Sequence, residues 1–195
     1  IEDNAFAGCP CGDVYQEGAN IVDCFDEKNN AIEVTIEGEG STIKINPTEL
    51  SISAFEAANN RITKETIKSI GLITGSEYSF TTIPEDAFKE CGELTSVNIP
   101  VGIGDIKLGA FMNCTKLESI TIPSTVNNIS IHPTEYMSFI NIKKGSFENC
   151  TSLNTVTIQD GSSDKKIGRR AFYDCTSLTD ITLPNTLIKI EIAAF

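Results

Sequence analysis

Seven cysteines and one histidine are the groups in this 195-residue chain best suited to covalent or metal chemistry. The thiolate is the reactive form, so its surroundings decide what each cysteine can do. Cys91, Cys114, Cys150 and Cys175 each stand three residues after a phenylalanine, at Phe88, Phe111, Phe147 and Phe172. A nucleophilic role requires a base, and His132 is the sole histidine. One imidazole cannot activate four equivalent thiols. A buried thiol behaves as a small apolar group, and that is the expected role of these four. Neighbouring coils lie at a spacing that a disulfide tolerates, but stacked side chains point the same way rather than at each other.

Cys9 keeps that spacing after Phe6, whereas Cys11 and Cys24 break it. A local disulfide of Cys24 with Cys9 or Cys11 would pin the surrounding segment and suit an oxidising compartment. Free thiols are the alternative, and a metal site is the third reading. Three cysteines with no adjacent histidine fall short of a structural zinc set. An odd total also leaves one thiol free unless another molecule takes it. The acidic stretch DCFDEKNNAIE at 23–33 lacks the glycine and flanking helix of a calcium loop, and reads as a solvated loop. GIGDIKLG at 102–109 precedes no long helix and is no dinucleotide loop. No catalytic residue, cofactor or metal site is expected. Asn113, Asn128 and Asn149 head N-x-S/T sequons. The simpler role of the polar residue before each cysteine is to bond backbone in the turn.

The elements that place these residues follow from an internal period. Phenylalanine recurs at 88, 111, 147, 172 and 195, in steps of 23, 36, 25 and 23. Isoleucine stands five residues earlier each time, at Ile83, Ile106, Ile142, Ile167 and Ile190. Leucine follows six later at Leu94, Leu117, Leu153 and Leu178, then an alternating pair such as Ile120 and Ile122. That alternation predicts a short strand with two side chains inward and two outward. Pro100, Pro123 and Pro184 end it. A second extended piece precedes the phenylalanine, as in TVNNI at 125–129. The segment around GAFMNC is short for a stable helix, which predicts a tight or single helical turn. A unit of 23 residues cannot bury its own apolar side, so the units stack, with one strand of each forming a long parallel sheet.

The N-terminal part is degenerate. Ile1, Phe6 and Cys9 keep the spacing; Leu50, Ala54 and Phe55 match Ile106, Ala110 and Phe111, with Ala58 in the cysteine position. AIEVTI at 31–36 is similar to LTSVNI at 94–99, and in 60–80 both Ile67 and Ile70 are candidate anchors. The whole of 1–195 reads as one repeat domain and a piece of a longer chain. Its units are irregular over 1–80, with an insertion at 10–30, and regular over 83–195, with an insertion at 130–141.

The units LESITIPSTVNNI at 117–129, IGRRAFYDCTSL at 167–178 and LTDITLPNTLIKIEIAAF at 178–195 resemble the BspA-like leucine-rich repeat. The resemblance implies a leucine-rich-repeat solenoid: short parallel strands stacked into a curved right-handed coil with little regular helix. It further implies an exported or cell-surface protein that binds other macromolecules.

The formal net charge of -12 opposes nucleic acid and anionic lipid, and no run of 18 apolar residues offers a membrane span. The expected partner is a protein or carbohydrate. Outward strand positions Ser96, Asn98, Ser119, Thr121, Thr155, Thr157, Asp180 and Thr182 form a small, polar, nearly uncharged row, a docking strip or a plain solvent face. His132, Tyr136, Met137 and Phe139 in the second insertion are further contact candidates, or fold back to cap the coil. The expected function is a non-enzymatic scaffold for macromolecular binding, such as an adhesin. A structural spacer is the alternative, and an enzyme with active residues in the insertions a remote one.

Overall fold

A computed structural model of the chain describes residues 32–36, 42–45, 51–72, 80–131 and 144–195. The elements run β1 (Ile32–Ile36), β2 (Thr42–Ile45), α1 (Ile52–Ala58), β3 (Ile67–Leu72), β4 (Thr82–Ile83), β5 (Ser96–Val97) and β6 (Asp105–Ile106). They continue through β7 (Ser119–Ile122), β8 (Asn128–Ile129), β9 (Thr155–Ile158), β10 (Lys165–Ile167), β11 (Asp180–Thr182) and β12 (Leu187–Ile190). Among the described residues no helix is long and apolar enough to cross a membrane.

The coils join through three columns of backbone hydrogen bonds. In the first, β3, β5, β7, β9 and β11 run in parallel, with Ile70 opposite Val97 and Ile120, Val156 and Ile181 in line. In the second, β4, β6, β8, β10 and β12 align Ile83, Ile106, Ile129, Ile167 and Ile190. The extended piece before each phenylalanine thus builds its own parallel ladder, where the repeat pattern required only one sheet. The third column has no strands. Phe88 N donates to Ala110 O at 2.7 Å, Phe111 N to Ser146 O at 2.7 Å, and Phe147 N to Ala171 O at 2.8 Å. Turns whose N–H groups are satisfied by the next coil have no need of a helix.

Inside the columns the rings of Phe88, Phe111, Phe147, Phe172 and Phe195 stack with centroids 5.1–5.5 Å apart, and Phe55 meets Phe88 edge-on at 5.3 Å. The small residue before each ring, Ala87, Ala110, Ser146, Ala171 or Ala194, is buried against its neighbours. Ser146 is tolerated there because its hydroxyl donates to Lys107 O at 2.8 Å and also accepts from Ser130 Oγ at 2.7 Å. A Cβ on Gly145 would overlap the carbonyl of Arg170 in the next coil, which explains the glycine.

The tight turn before each cysteine demands left-handed backbone. Glu90, Asn113, Asn149 and Asp174, the residues before the cysteines, have φ of 60–65°. Asparagine and aspartate tolerate this region better than other residues with a Cβ. Asn149 also donates its amide to Asn113 Oδ1 at 3.0 Å. Asn149→Ala should therefore lower unfolding free energy by about 1–2 kcal/mol. Urea titration checks this, with Asn149→Gly expected to lose less because the backbone is then unstrained.

The N-terminal region departs from the repeat. β1 pairs antiparallel with both β2 and β3, so 31–36 is no stacked counterpart of 94–99. Instead β3 supplies the parallel strand, and Ile70, not Ile67, faces Val97. Phe55 keeps its ring in the stack, but α1 is a real helix whose Ser51 side chain accepts from Ala54 N at 3.2 Å. Ala58 does not occupy a cysteine position: it is exposed on that helix. The last coil departs in another way. Leu183 and Ile190, inward by pattern, are 41% and 49% exposed because no described coil covers them.

Two buried charges stand out. Glu148 takes a bidentate bond from Arg170 at 2.6 and 3.0 Å and also accepts from Gly145 N at 2.8 Å. Lys165 lies opposite Leu187, in an otherwise apolar column, at 2% exposure. Its ammonium donates to the carbonyls of Ser124 at 2.7 Å and Val126 at 2.5 Å. Burial pulls its pKa below the usual lysine range.

Candidate functional site

The strand alternation decides which side chains leave the solenoid. In β7, Ile120 and Ile122 are buried while Ser119 and Thr121 face out. The register of the first column then sets the outward groups in two rows. Ser69 pairs with Ser96, and Ser119 with Thr155 and Thr155 with Asp180; beside them Asn98 pairs with Thr121, Thr121 with Thr157 and Thr157 with Thr182. Parallel strands repeat at about 4.8 Å, so each row offers a polar group at that pitch. Ser96, Asn98, Ser119, Thr121, Asp180 and Thr182 are exposed, and Thr155 and Thr157 half-buried. The structure therefore assembles all eight strand positions on one face. Asp180 is the sole formal charge among them.

The face is not uniform. Between β5 and β7 the parallel ladder narrows to one isolated bridge, Asn98 to Thr121. A shallow hollow of about 300 Å³ opens there, lined by Ser96, Asn98, Ser119, Thr121, Gln159 and Val101, among others. The side chains of Ser96, Asn98, Ser119, Thr121 and Gln159 make no hydrogen bond or ion pair with any described residue. Val101 is 76% exposed. Among the described residues the other large exposed apolar ones, Leu183, Ile188, Ile190, Ile192 and Phe195, all belong to the last coil.

Gln159 and Val101 did not stand out in the sequence. A signal was nevertheless present. Each strand ends at Pro100, Pro123, Gln159 or Pro184, and the exception restores an N–H, which donates to Ile122 O at 3.0 Å. Val101 follows Pro100 where Ser124 and Asn185 follow the other prolines.

The cysteines do different work. Cys114 Sγ donates to Phe88 O at 3.2 Å, Cys150 to Phe111 O at 3.2 Å, and Cys175 to Phe147 O at 3.1 Å. Each of those carbonyls also accepts from the cysteine N–H of its own coil. The thiol is thus small enough for the column and still gives the carbonyl a second donor. Cys91, Cys114, Cys150 and Cys175 are free thiols and buried. Burial pushes the Cys91 thiol up to about 12 and that of Cys114 well above the ordinary value, while the neighbouring Cys175 thiol, with burial behind it, raises Cys150 and is itself lowered by Cys150. Protonated thiols held this way are poor nucleophiles. Among the described residues no group of three or more His, Cys, Asp or Glu is arranged to hold a metal ion. His132, Tyr136, Met137, Phe139, Cys9, Cys11, Cys24 and the insertion at 10–30 lie outside the described residues, as does all but the start of the insertion at 130–141.

Comparison with known proteins agrees with the repeat. A family model described as BspA type Leucine rich repeat region, in six copies, matches residues 1–132 and 81–195. Among solved structures, the chain is similar to a leucine-rich repeat protein of Eubacterium ventriosum, at 24% identity and a TM-score of 0.41 over 60% of this chain and 34% of that one. It is also similar to a leucine rich repeat protein of T. pallidum, at 20% identity and a TM-score of 0.37 over 57% of this chain and 56% of that one. A leucine rich cell surface protein of Faecalibacterium prausnitzii matches at 18% identity and a TM-score of 0.28, over 62% and 49% of the two chains. The chain thus spans between about a third and just over half of these proteins. No curated protein matches.

Proposed function

Because the chain belongs to the BspA-type leucine rich repeat family, we propose that it is a non-enzymatic scaffold that binds a macromolecule, protein or glycan, outside the cell. One observation carries the reading: two rows of outward polar side chains, held in register by a rigid core, with their hydrogen-bonding groups unspent at the hollow. Many weak contacts at a fixed pitch sum to affinity only if the scaffold does not have to be ordered on binding. The stacked rings and three backbone columns supply that rigidity. The cell-surface location follows the family resemblance. Nucleic acid is disfavoured as a partner by the charge of -12.

The test is binding of the purified protein to a panel of extracellular matrix proteins and to a glycan array. Thr121→Arg and Thr157→Arg place bulk and charge on the face without touching the core. Each should weaken binding at least tenfold while leaving the melting temperature within a degree or two. A wild-type protein that binds nothing on either panel would favour a spacer, and unchanged binding by both variants would move the contact surface elsewhere.

A further inference from the structure

We propose that the hollow between β5 and β7 is a subsite for a neutral carbohydrate, which rests on the scaffold reading above and narrows its ligand. Three observations that do not depend on one another converge there.

The first is hydrogen-bonding capacity. Asn113, Asn128, Asn149 and Asn154 each have their amides engaged with a neighbouring side chain. Asn98 does not, and neither do Ser96, Ser119, Thr121 and Gln159 around it. Hydroxyl and amide side chains both donate and accept, as every hydroxyl of a sugar does. The second is Val101, exposed in the middle of the solenoid rather than at its open end. With Pro123 it gives the hollow an apolar wall, against which the C–H face of a sugar ring can pack while its hydroxyls turn toward the strands. The third is charge. The lining contains no ionisable side chain, although the chain as a whole carries -12. Burying an unpaired charge here would carry a desolvation cost with nothing to offset it.

A protein partner is the less fitting occupant of this place. Protein hot spots are large aromatic or arginine side chains seated in closed, desolvated pockets. This hollow is shallow, and its volume lies at the low end of the roughly 300–1,000 Å³ of small-molecule sites. A sugar ring fills such a space. The second row, continuing through Thr157 and Thr182 at strand pitch, extends the contact to further rings of one oligosaccharide.

The experiment uses the whole chain and an array of neutral oligosaccharides (mannose, glucose, galactose and N-acetylhexosamine oligomers) beside sialylated and sulfated ones. Calorimetry then follows the strongest neutral binder. Asn98→Ala and Val101→Asp should each raise its Kd tenfold or more, and Gln159→Ala severalfold, with melting temperatures unchanged. Anionic glycans should bind more weakly than their neutral parents. Absence of binding to every neutral oligosaccharide at millimolar concentration would overturn the subsite. So would binding that Asn98→Ala and Val101→Asp leave untouched. Should Thr157→Arg abolish capture of a matrix protein while neutral sugars neither bind nor compete, the subsite fails and the scaffold reading stands.

Discussion

Phe147→Ala is expected to lower the free energy of unfolding by about 3–5 kcal/mol, the usual range for truncating a fully buried ring. Phe147 is 0% exposed and sits between Phe111 at 5.2 Å and Phe172 at 5.1 Å. Removing it deletes two stacking contacts and leaves a void that rigid neighbours cannot fill. The location adds a consequence. Apart from the ion pairs of Lys144 with Glu85 and Asp86, which reach across one coil, each coil packs on the next, so the solenoid approaches a one-dimensional array whose cooperativity passes through every interface. A gap at Phe147 should let the coils beyond it melt before those preceding it, and guanidinium unfolding should broaden or split. Phe195→Ala is the control: this ring is 48% exposed and stacks on Phe172 alone, and should cost less than half as much. Equal losses in the two variants, or a Phe147→Ala cost under about 1.5 kcal/mol, would show that the ring column does not hold the coils together.

The second large effect is alkaline lability. The buried thiols of Cys91 and Cys114 have pKa values raised by loss of solvent, and that of Cys150 by the Cys175 thiol and then by burial, so the folded state holds them neutral. The unfolded chain ionises them near the ordinary value of 9.0. A folded pKa above the unfolded one gives a contribution complete below pH 9.0 and lost as pH climbs toward the folded value, about 12 for Cys91. Each such thiol withdraws about 1.4 kcal/mol per pH unit across that window. Cys114 and Cys150, whose pKa values are also raised, add losses in the same direction. Lys165 works the other way. Its pKa is lowered, so its contribution grows as pH rises toward 10.5, and that of Cys175, whose pKa is also lowered, grows as pH rises to 9.0. Thermal melts from pH 8 to 11 should therefore fall steeply above about 9. Cys114→Ala and Cys150→Ala should start less stable at neutral pH yet decline with a shallower slope. A wild-type stability that stays flat to pH 11, or identical slopes in the variants, would mean that the thiols titrate freely.

Much of the architecture was legible because a repeat constrains itself. A residue that recurs at the same place in each unit has the same neighbours above and below it as well as the same local geometry. Ile–Phe–Cys–Leu positions were identifiable as interior for that reason, and Phe88, Cys91, Leu94, Phe111, Cys114 and Leu117 are buried. The outward strand positions were legible by the same logic, since a strand's period of two leaves no choice once its inward pair is known. The hydrogen bond from each thiol to the preceding coil's carbonyl was not, because spacing reports volume and polarity but not the direction of an S–H group.

The antiparallel strands β1 and β2 depart from the repeat pattern for a physical reason. Alternating residues at 31–36 specify a strand but not its partner's direction, and β1 takes β2 and β3 as antiparallel neighbours. The ambiguity between Ile67 and Ile70 had the same origin and was settled by pairing with β5. Lys165 shows the limit from the other side. In DKKIGRR it reads as one of many solvated cations, and only the carbonyls of Ser124 and Val126, 41 and 39 residues earlier, make its burial tolerable. The hollow belongs to the same class. Ser96, Asn98, Ser119 and Thr121 are ordinary exposed strand residues until the thinning of one ladder and the turn carrying Val101 make a concavity of them.

By itself the sequence determined the coil: its period, its inward ring and thiol columns, and the parallel stacking that alone can bury them. Tertiary structure decided what the period could not carry, namely the antiparallel pairing of β1, the buried lysine and the place where the polar face opens. Repetition encodes what every coil shares with its neighbours, whereas an antiparallel pairing, a stray charge or a hollow exists only where two particular coils differ.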